Sequence, residues 1–148
     1  DDGWKIAGCP VNGPILSARG RDVALAWFTG RDEQGRAFLA FSKDAGRTFG
    51  APIRLDGGGT LGRVDVELMP DGAAVASWIA SAGGRAEFVA SRVTPAGVKS
   101  PPLTVSGLAG TRASGYPRVA SHGDEIVFAW AESVDGQTMV QTAVARTR

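Results

Sequence analysis

A small set of charged and aromatic side chains carries what chemistry this sequence offers. Arg63, Asp65 and Glu67 alternate with Val64, Val66 and Leu68, and in a strand the side-chain period of two puts all three charges on one face. Arg112, Tyr116 and Arg118 form a comparable cluster further along, and Asn12 stands at the matching place near the start. Two readings fit these residues. Guanidinium groups grip carboxylates with paired N–H donors, so the face is suited to a carboxylated or hydroxylated ligand such as an acidic sugar. Equally, opposite charges on one strand face neutralise one another as a solvated row. The sequence leaves both readings open.

Other catalytic chemistry finds less support. His122 is the one histidine and sits in a turn beside Gly123-Asp124, far in sequence from the one cysteine, Cys9. No Gly-x-Ser-x-Gly elbow is present and no residues have zinc-ligand spacing. Gly57-Gly58-Gly59 is expected to precede a strand, whereas a phosphate cradle precedes a helix. Asp56, Asp65 and Asp71 lack the spacing of a calcium loop. No cofactor or metal is implied.

The elements that position these residues follow from a repeat. Tryptophan returns at Trp27, Trp78 and Trp130, at intervals of 51 and 52 residues. Each lies in a short apolar run: Val23-Ala24-Leu25-Ala26-Trp27-Phe28, Ala74-Val75-Ala76-Ser77-Trp78-Ile79 and Ile126-Val127-Phe128-Ala129-Trp130-Ala131. Both alternating faces of each run are largely apolar, and one is rich in alanine, which predicts strands covered on both sides by closely approaching sheets. Earlier runs near Pro14–Ala18, Val64–Met69 and Pro117–Ser121, and later ones at Ala37–Phe41, Glu87–Ala90 and Thr138–Thr142, are separated from them by glycine-containing turns. Fourth runs at Pro52–Leu55 and Leu103–Val105 complete two repeats. Four antiparallel strands in roughly 50 residues, buried on both faces, describe a blade of a β-propeller. The expected architecture is all-β, with three four-stranded blades over approximately 12–56, 62–106 and 113–148. Residues 3–8 are expected to form an orphan outer strand.

Between the third and fourth strands of the first repeat lies Ser42-Lys43-Asp44-Ala45-Gly46-Arg47-Thr48-Phe49. Ser42, Asp44, Gly46, Thr48 and Phe49 match every defined position of the Asp box, or BNR repeat, so the chain resembles the sialidase-like Asp-box propellers. A trace persists at Ser91-Arg92-Val93-Thr94-Pro95-Ala96-Gly97, without the aspartate or the aromatic. The turn chemistry is structural: Asp44 accepts from backbone N–H groups, Gly46 permits positive φ, Thr48 adds a hydroxyl, and Phe49 is expected to tuck between sheets.

The resemblance implies an exported protein, secreted, periplasmic or at the cell surface. It also implies a choice between a noncatalytic binding or scaffold module and an exo-glycosidase of the sialidase type. Enzymes of that family use three arginines, a tyrosine nucleophile paired with glutamate, and an aspartate acid/base. Here Tyr116, with Glu67 or Glu132 beside it and Asp65 as acid, are the residues that offer those groups. No arginine triad can be assigned, however, and the family's Phe/Tyr-Arg-Ile-Pro motif is absent. The binding or scaffold reading therefore leads.

Length and charge bound the partners. Three blades are fewer than the about four to eight of closed propellers, and an open arc leaves apolar sheet faces bare. Either a second copy or a missing half of a longer chain is expected to complete a six-bladed ring, with the orphan strand of one copy finishing the last blade of the other. Cys9 is buried, or bridges to a missing segment, or bridges across a dimer. With 16 basic and 15 acidic side chains interspersed and a net charge of +1, the chain has no basic stripe for nucleic acid. No apolar run reaches the roughly 18 residues of a membrane-spanning segment.

Overall fold

The computed structural model describes residues 3–6, 11–108, 115–134 and 136–146. They form three antiparallel sheets and almost no helix. The first sheet runs in the order β1 (Ile15–Arg19), β2 (Asp22–Thr29), β3 (Arg36–Ser42) and β4 (Ile53–Arg54). The second repeats that meander with β5 (Thr60–Leu68), β6 (Ala74–Ala82), β7 (Arg85–Val93) and β8 (Leu103–Leu108). The third has β9 (Arg118–His122), β10 (Glu125–Val134) and β11 (Gln137–Arg146). A single 3-10 turn at Arg31–Glu33 is the helical element among the described residues, so no helix there is long and apolar enough to cross a membrane.

Each repeated tryptophan falls on the second strand of its sheet, and the register around it is preserved. Ile15, Asp65 and Arg118 lie opposite Ala26, Ser77 and Ala129 respectively, the residue immediately before each tryptophan. Ile15 after Pro14 and Arg118 after Pro117 therefore occupy equivalent places, and Asp65 joins them.

Strand alternation decides where the core sits. Along β6, Ala74, Ala76 and Trp78 turn to one side and join Ala24, Ala26, Ala37 and Leu39 of the first sheet in one cluster. Val75 and Ile79 turn to the other and join Phe88, Val119, Phe128 and Trp130 in a second. The middle sheet is thus apolar on both faces because it is covered on both. The alanines at Ala24, Ala26, Ala74 and Ala76 are essentially inaccessible, leaving room for Trp78 to pack between backbones. Burying side chains the size of Trp78 or Phe88 contributes roughly 1.5–3 kcal/mol each. Phe88 meets Phe128 edge-on at 5.9 Å and lies 5.9 Å from Trp130.

The outer sheets differ from expectation in one respect. Their strands are covered on one face only: Trp27 is half-buried, and Val140 and Val144 on β11 are exposed. Residues 3–6 form no strand either. Trp4 packs edge-on against Phe28 of its own first sheet, 5.5 Å between centroids, and residues 3–6 pair with no strand among the described residues of this chain. Cys9 lies outside the described residues.

Candidate functional site

The octet turn joins β3 to β4, and its hydrogen bonds use nearly every polar atom it has. The Ser42 hydroxyl donates to Asp44 Oδ1 (2.8 Å) and accepts from the Gly46 N–H (2.9 Å) and the Asp44 N–H (3.3 Å). Asp44 Oδ1 also accepts the Thr48 N–H at 2.9 Å, and Oδ2 accepts the Thr48 hydroxyl at 2.7 Å. The Thr48 N–H and hydroxyl, with the Ser42 hydroxyl, hold the Asp44 carboxyl at about 2, well below the ordinary carboxylate range. Ala45 and Gly46 both take positive φ, 62° and 80°, which turns the chain sharply enough for the loop to bond with itself. Phe49 corrects one expectation: it is 37% exposed and does not tuck between sheets. The corresponding turn after β7 has lost the aspartate, and Thr94 caps it by bonding the Val98 N–H and pairing with Gly97 and Val98 backbone groups. In both sheets a serine at or near the end of the third strand is spent locally, Ser91 donating to the Ser100 carbonyl at 2.8 Å.

The strands β1, β5 and β9 are the first of their sheets, and polar side chains tie them together. Asp65 is buried, and its carboxylate reaches across to the third sheet. Oδ2 accepts the Val119 N–H at 3.0 Å and Arg118 Nε at 2.8 Å, while Oδ1 accepts the Val66 N–H at 2.9 Å. Glu67, two residues on, bridges both neighbours: Oε1 accepts the Ser121 hydroxyl at 2.6 Å and Oε2 the Ser17 hydroxyl at 3.1 Å. Arg19 closes the circuit, donating to the Leu68 carbonyl at 2.5 Å and to Ser121 at 3.1 Å, with Glu67 at 3.7 Å. Ser17, Arg19 and Ser121 were not distinguished by sequence reasoning. The available signal was their place on first strands, since a hydroxyl alone does not announce a cross-sheet partner.

Above this network the strand is distorted. The register of β5 against β6 slips between Thr60 and Gly62 and again between Gly62 and Asp65, inserting bulge residues. Gly62 and Arg63 have φ of 86° and 53°, so Arg63 does not continue the row of Asp65 and Glu67. The expectation of three charges on one face is corrected by this bulge. The distortion instead hands the Arg63 N–H to Asn12 Oδ1 at 2.9 Å and sets its guanidinium 5.7 Å from the Tyr116 ring centroid. A Cβ at Gly62 would lie 2.7 Å from the Asn12 side chain, so any larger residue there would push Asn12 aside. Tyr116 and Arg118 are both exposed, at 56% and 65%. Positive φ at a non-glycine residue costs energy and gathers where function needs an unusual backbone.

The grouping the structure makes is thus Asn12, Arg63, Tyr116 and Arg118 at an exposed edge, with Asp65 and Glu67 directed into the contacts between sheets. The Tyr116 hydroxyl donates to the Val11 carbonyl at 2.7 Å, and Glu67 is held by serines, so the two are not the hydrogen-bonded pair that the enzyme reading needs. Glu132 lies far along β10, opposite Met139. Arg112 lies outside the described residues. The three aspartates weighed for calcium have separate roles: Asp65 ties two sheets, and Asp56 and Asp71 hold turns. Burial pushes the Asp56 carboxyl up, but Arg54 and the Ala37 and Gly58 N–H groups outweigh it and hold it below its ordinary value. Asp71 caps the Ala73 N–H and pairs with Arg92. Among the described residues no three His, Cys, Asp or Glu side chains gather as a metal site would require. No protein-family model matches the chain, and no curated protein matches it significantly.

Proposed function

We propose that this chain is a noncatalytic binding or scaffold module of the sialidase-like Asp-box propeller superfamily. Its three sheets serve as blades, and its contact surface is the edge where β1, β5 and β9 begin. Three features support the reading: the self-bonded octet turn, the repeated meander with a tryptophan on every second strand, and the ties between first strands. The same resemblance carries the location, an exported protein in the periplasm, at the cell surface or secreted. It carries the ring as well, which more sheets than these three complete.

One observation favours the binder over the enzyme. Asp65 and Glu67 are held by hydrogen bonds between sheets, whereas Arg118, paired with Asp65 through Nε, has a side chain 65% exposed, and exposed Tyr116 lies against half-buried Arg63. Protonating or attacking a glycosidic bond needs carboxyl groups free to face it. Binding a carboxylate needs guanidinium donors and a polar neighbour, which is what the edge offers. The ligand class is a carboxylate-bearing sugar.

Titration with a sialic acid and with glucuronate, followed by amide and side-chain NMR shifts, tests this. Shifts at Asn12, Arg63 and Tyr116 with the acids and none with the neutral parent sugars are expected, weakened in Arg63→Ala. Hydrolysis of a fluorogenic sialoside, lost in Tyr116→Phe, would replace the binder with the enzyme. No response to either acid would overturn the ligand class.

A further inference from the structure

The two contacts between sheets are built alike. In each, the tryptophan of one sheet enters the face of the sheet before it. Trp78 is 2% exposed in the cluster it shares with Ala24, Ala26 and Ala37, and Trp130 is 8% exposed in the cluster it shares with Val75, Ile79 and Ala86. Among the described residues, no sheet covers the side of the first sheet that carries Trp27. Because Ala24 and Ala26 turn inward on β2, Leu25 and Trp27 turn outward, and Leu16 opposite Leu25 is 61% exposed. Trp27 stacks on Phe38 at 5.5 Å, and the surrounding apolar groove of about 630 Å³ is lined also by Trp4, Leu25 and Phe49.

The far side of the molecule is the reciprocal surface. On β10, Phe128 and Trp130 turn inward, so Val127, Ala129 and Ala131 turn out, in the register that Ala24 and Ala26 occupy on β2. Opposite them on β11, Val144 is 59% exposed and Val140 77%. The chain therefore carries, at its two ends, the two halves of a contact it makes twice internally. An apolar sheet face of this kind is a liability in water unless covered.

We infer that a second copy of this chain covers both ends, the Trp27 face of each copy seating on the Val127–Ala129 face of the other. The occupant is a second copy because the established contact between sheets continues directly into it: each free face matches the other free face of the same chain. Two such head-to-tail contacts, related by a two-fold axis, close a ring of six sheets. This rests on the propeller reading proposed above. The pairing is through side-chain faces, whereas strand exchange would need the 3–6 segment that Trp4 instead anchors on its own sheet.

Sedimentation and light scattering at several concentrations test the inference. The expected mass is twice the 15.3 kDa chain. Trp27→Glu at a half-buried position and Val140→Glu at an exposed one, each on one face, should each raise the dissociation constant at least about tenfold, as loss of a central interface residue does. Circular dichroism checks that both variants keep their sheets. A mixture of the two variants retains one intact contact, Trp27 of one chain against Val140 of the other, and should recover dimer mass. Wild-type monomer at every concentration overturns the proposal, as does a dimer indifferent to both substitutions. Carboxylate binding is read separately at Arg63 and Tyr116, outside the Trp27 groove, so a monomer that binds acidic sugars would defeat the pairing and leave the binding reading standing.

Discussion

Replacing Asp65 with alanine removes the acceptor for three donors at once, and the cost can be worked from their surroundings. The Val66 and Val119 N–H groups, at 2.9 and 3.0 Å, lose their bond in a buried setting. Stranding a buried donor costs ~1–3 kcal/mol. Arg118 Nε, at 2.8 Å, belongs to a side chain 65% exposed, and water takes over there, so its share is about 0–1 kcal/mol. The sum is about 4 kcal/mol, within a range of ~2–7. For a chain of this size the melting temperature should fall by about 8–16 °C. Urea and thermal unfolding followed by circular dichroism and tryptophan fluorescence measure both. Asp65→Asn keeps one acceptor oxygen and should lose about half as much, while Arg118→Ala should lose no more than about 1 kcal/mol. Two results refute the reasoning: an Asp65→Ala variant within about 2 °C of wild type, or an Arg118→Ala variant equally destabilised. The second would mean that the ion pair, and not the stranded backbone, holds the sheets together.

Three further outcomes follow from local geometry. Asp44 has its carboxyl depressed to about 2 in the fold, so its stabilisation is complete above the unfolded value near 4 and is lost as pH falls from about 4 toward 2. Asp44→Asn should flatten the stability curve in that window, as acid titration of the unfolding midpoint will record. Gly62→Ala places a Cβ 2.7 Å from Asn12 at a φ of 86° and should cost ~1–3 kcal/mol. Displaced Asn12 and Arg63 resonances should accompany the loss in urea melts, and unchanged spectra would contradict it. The Ser77 hydroxyl is buried with no hydrogen-bond partner among the described residues, so Ser77→Ala should be neutral or stabilising by up to about 1 kcal/mol. A loss of that size in urea would count against it.

The sequence by itself determined the repeat, the strands and the octet turn, because each is governed by neighbours in the chain. A strand's two faces follow from alternation at Val23–Phe28 or Ala74–Ile79, and the Asp44 turn closes with donors within four residues. The equivalence of Ile15 with Arg118 was legible for the same reason: the proline and the tryptophan fix register from either side. What only the tertiary structure decided lies between sheets. Arg63, Asp65 and Glu67 share a period in the sequence, yet two added residues in β5 part Arg63 from the others, and a bulge depends on how two strands pair. Asp65 and Glu67 looked like candidates for chemistry until their partners arrived from strands 50 and 54 residues away. Whether a carboxylate is a site or a tie is set by which donors the fold brings within 3 Å of it, and a linear sequence has no coordinate for that distance.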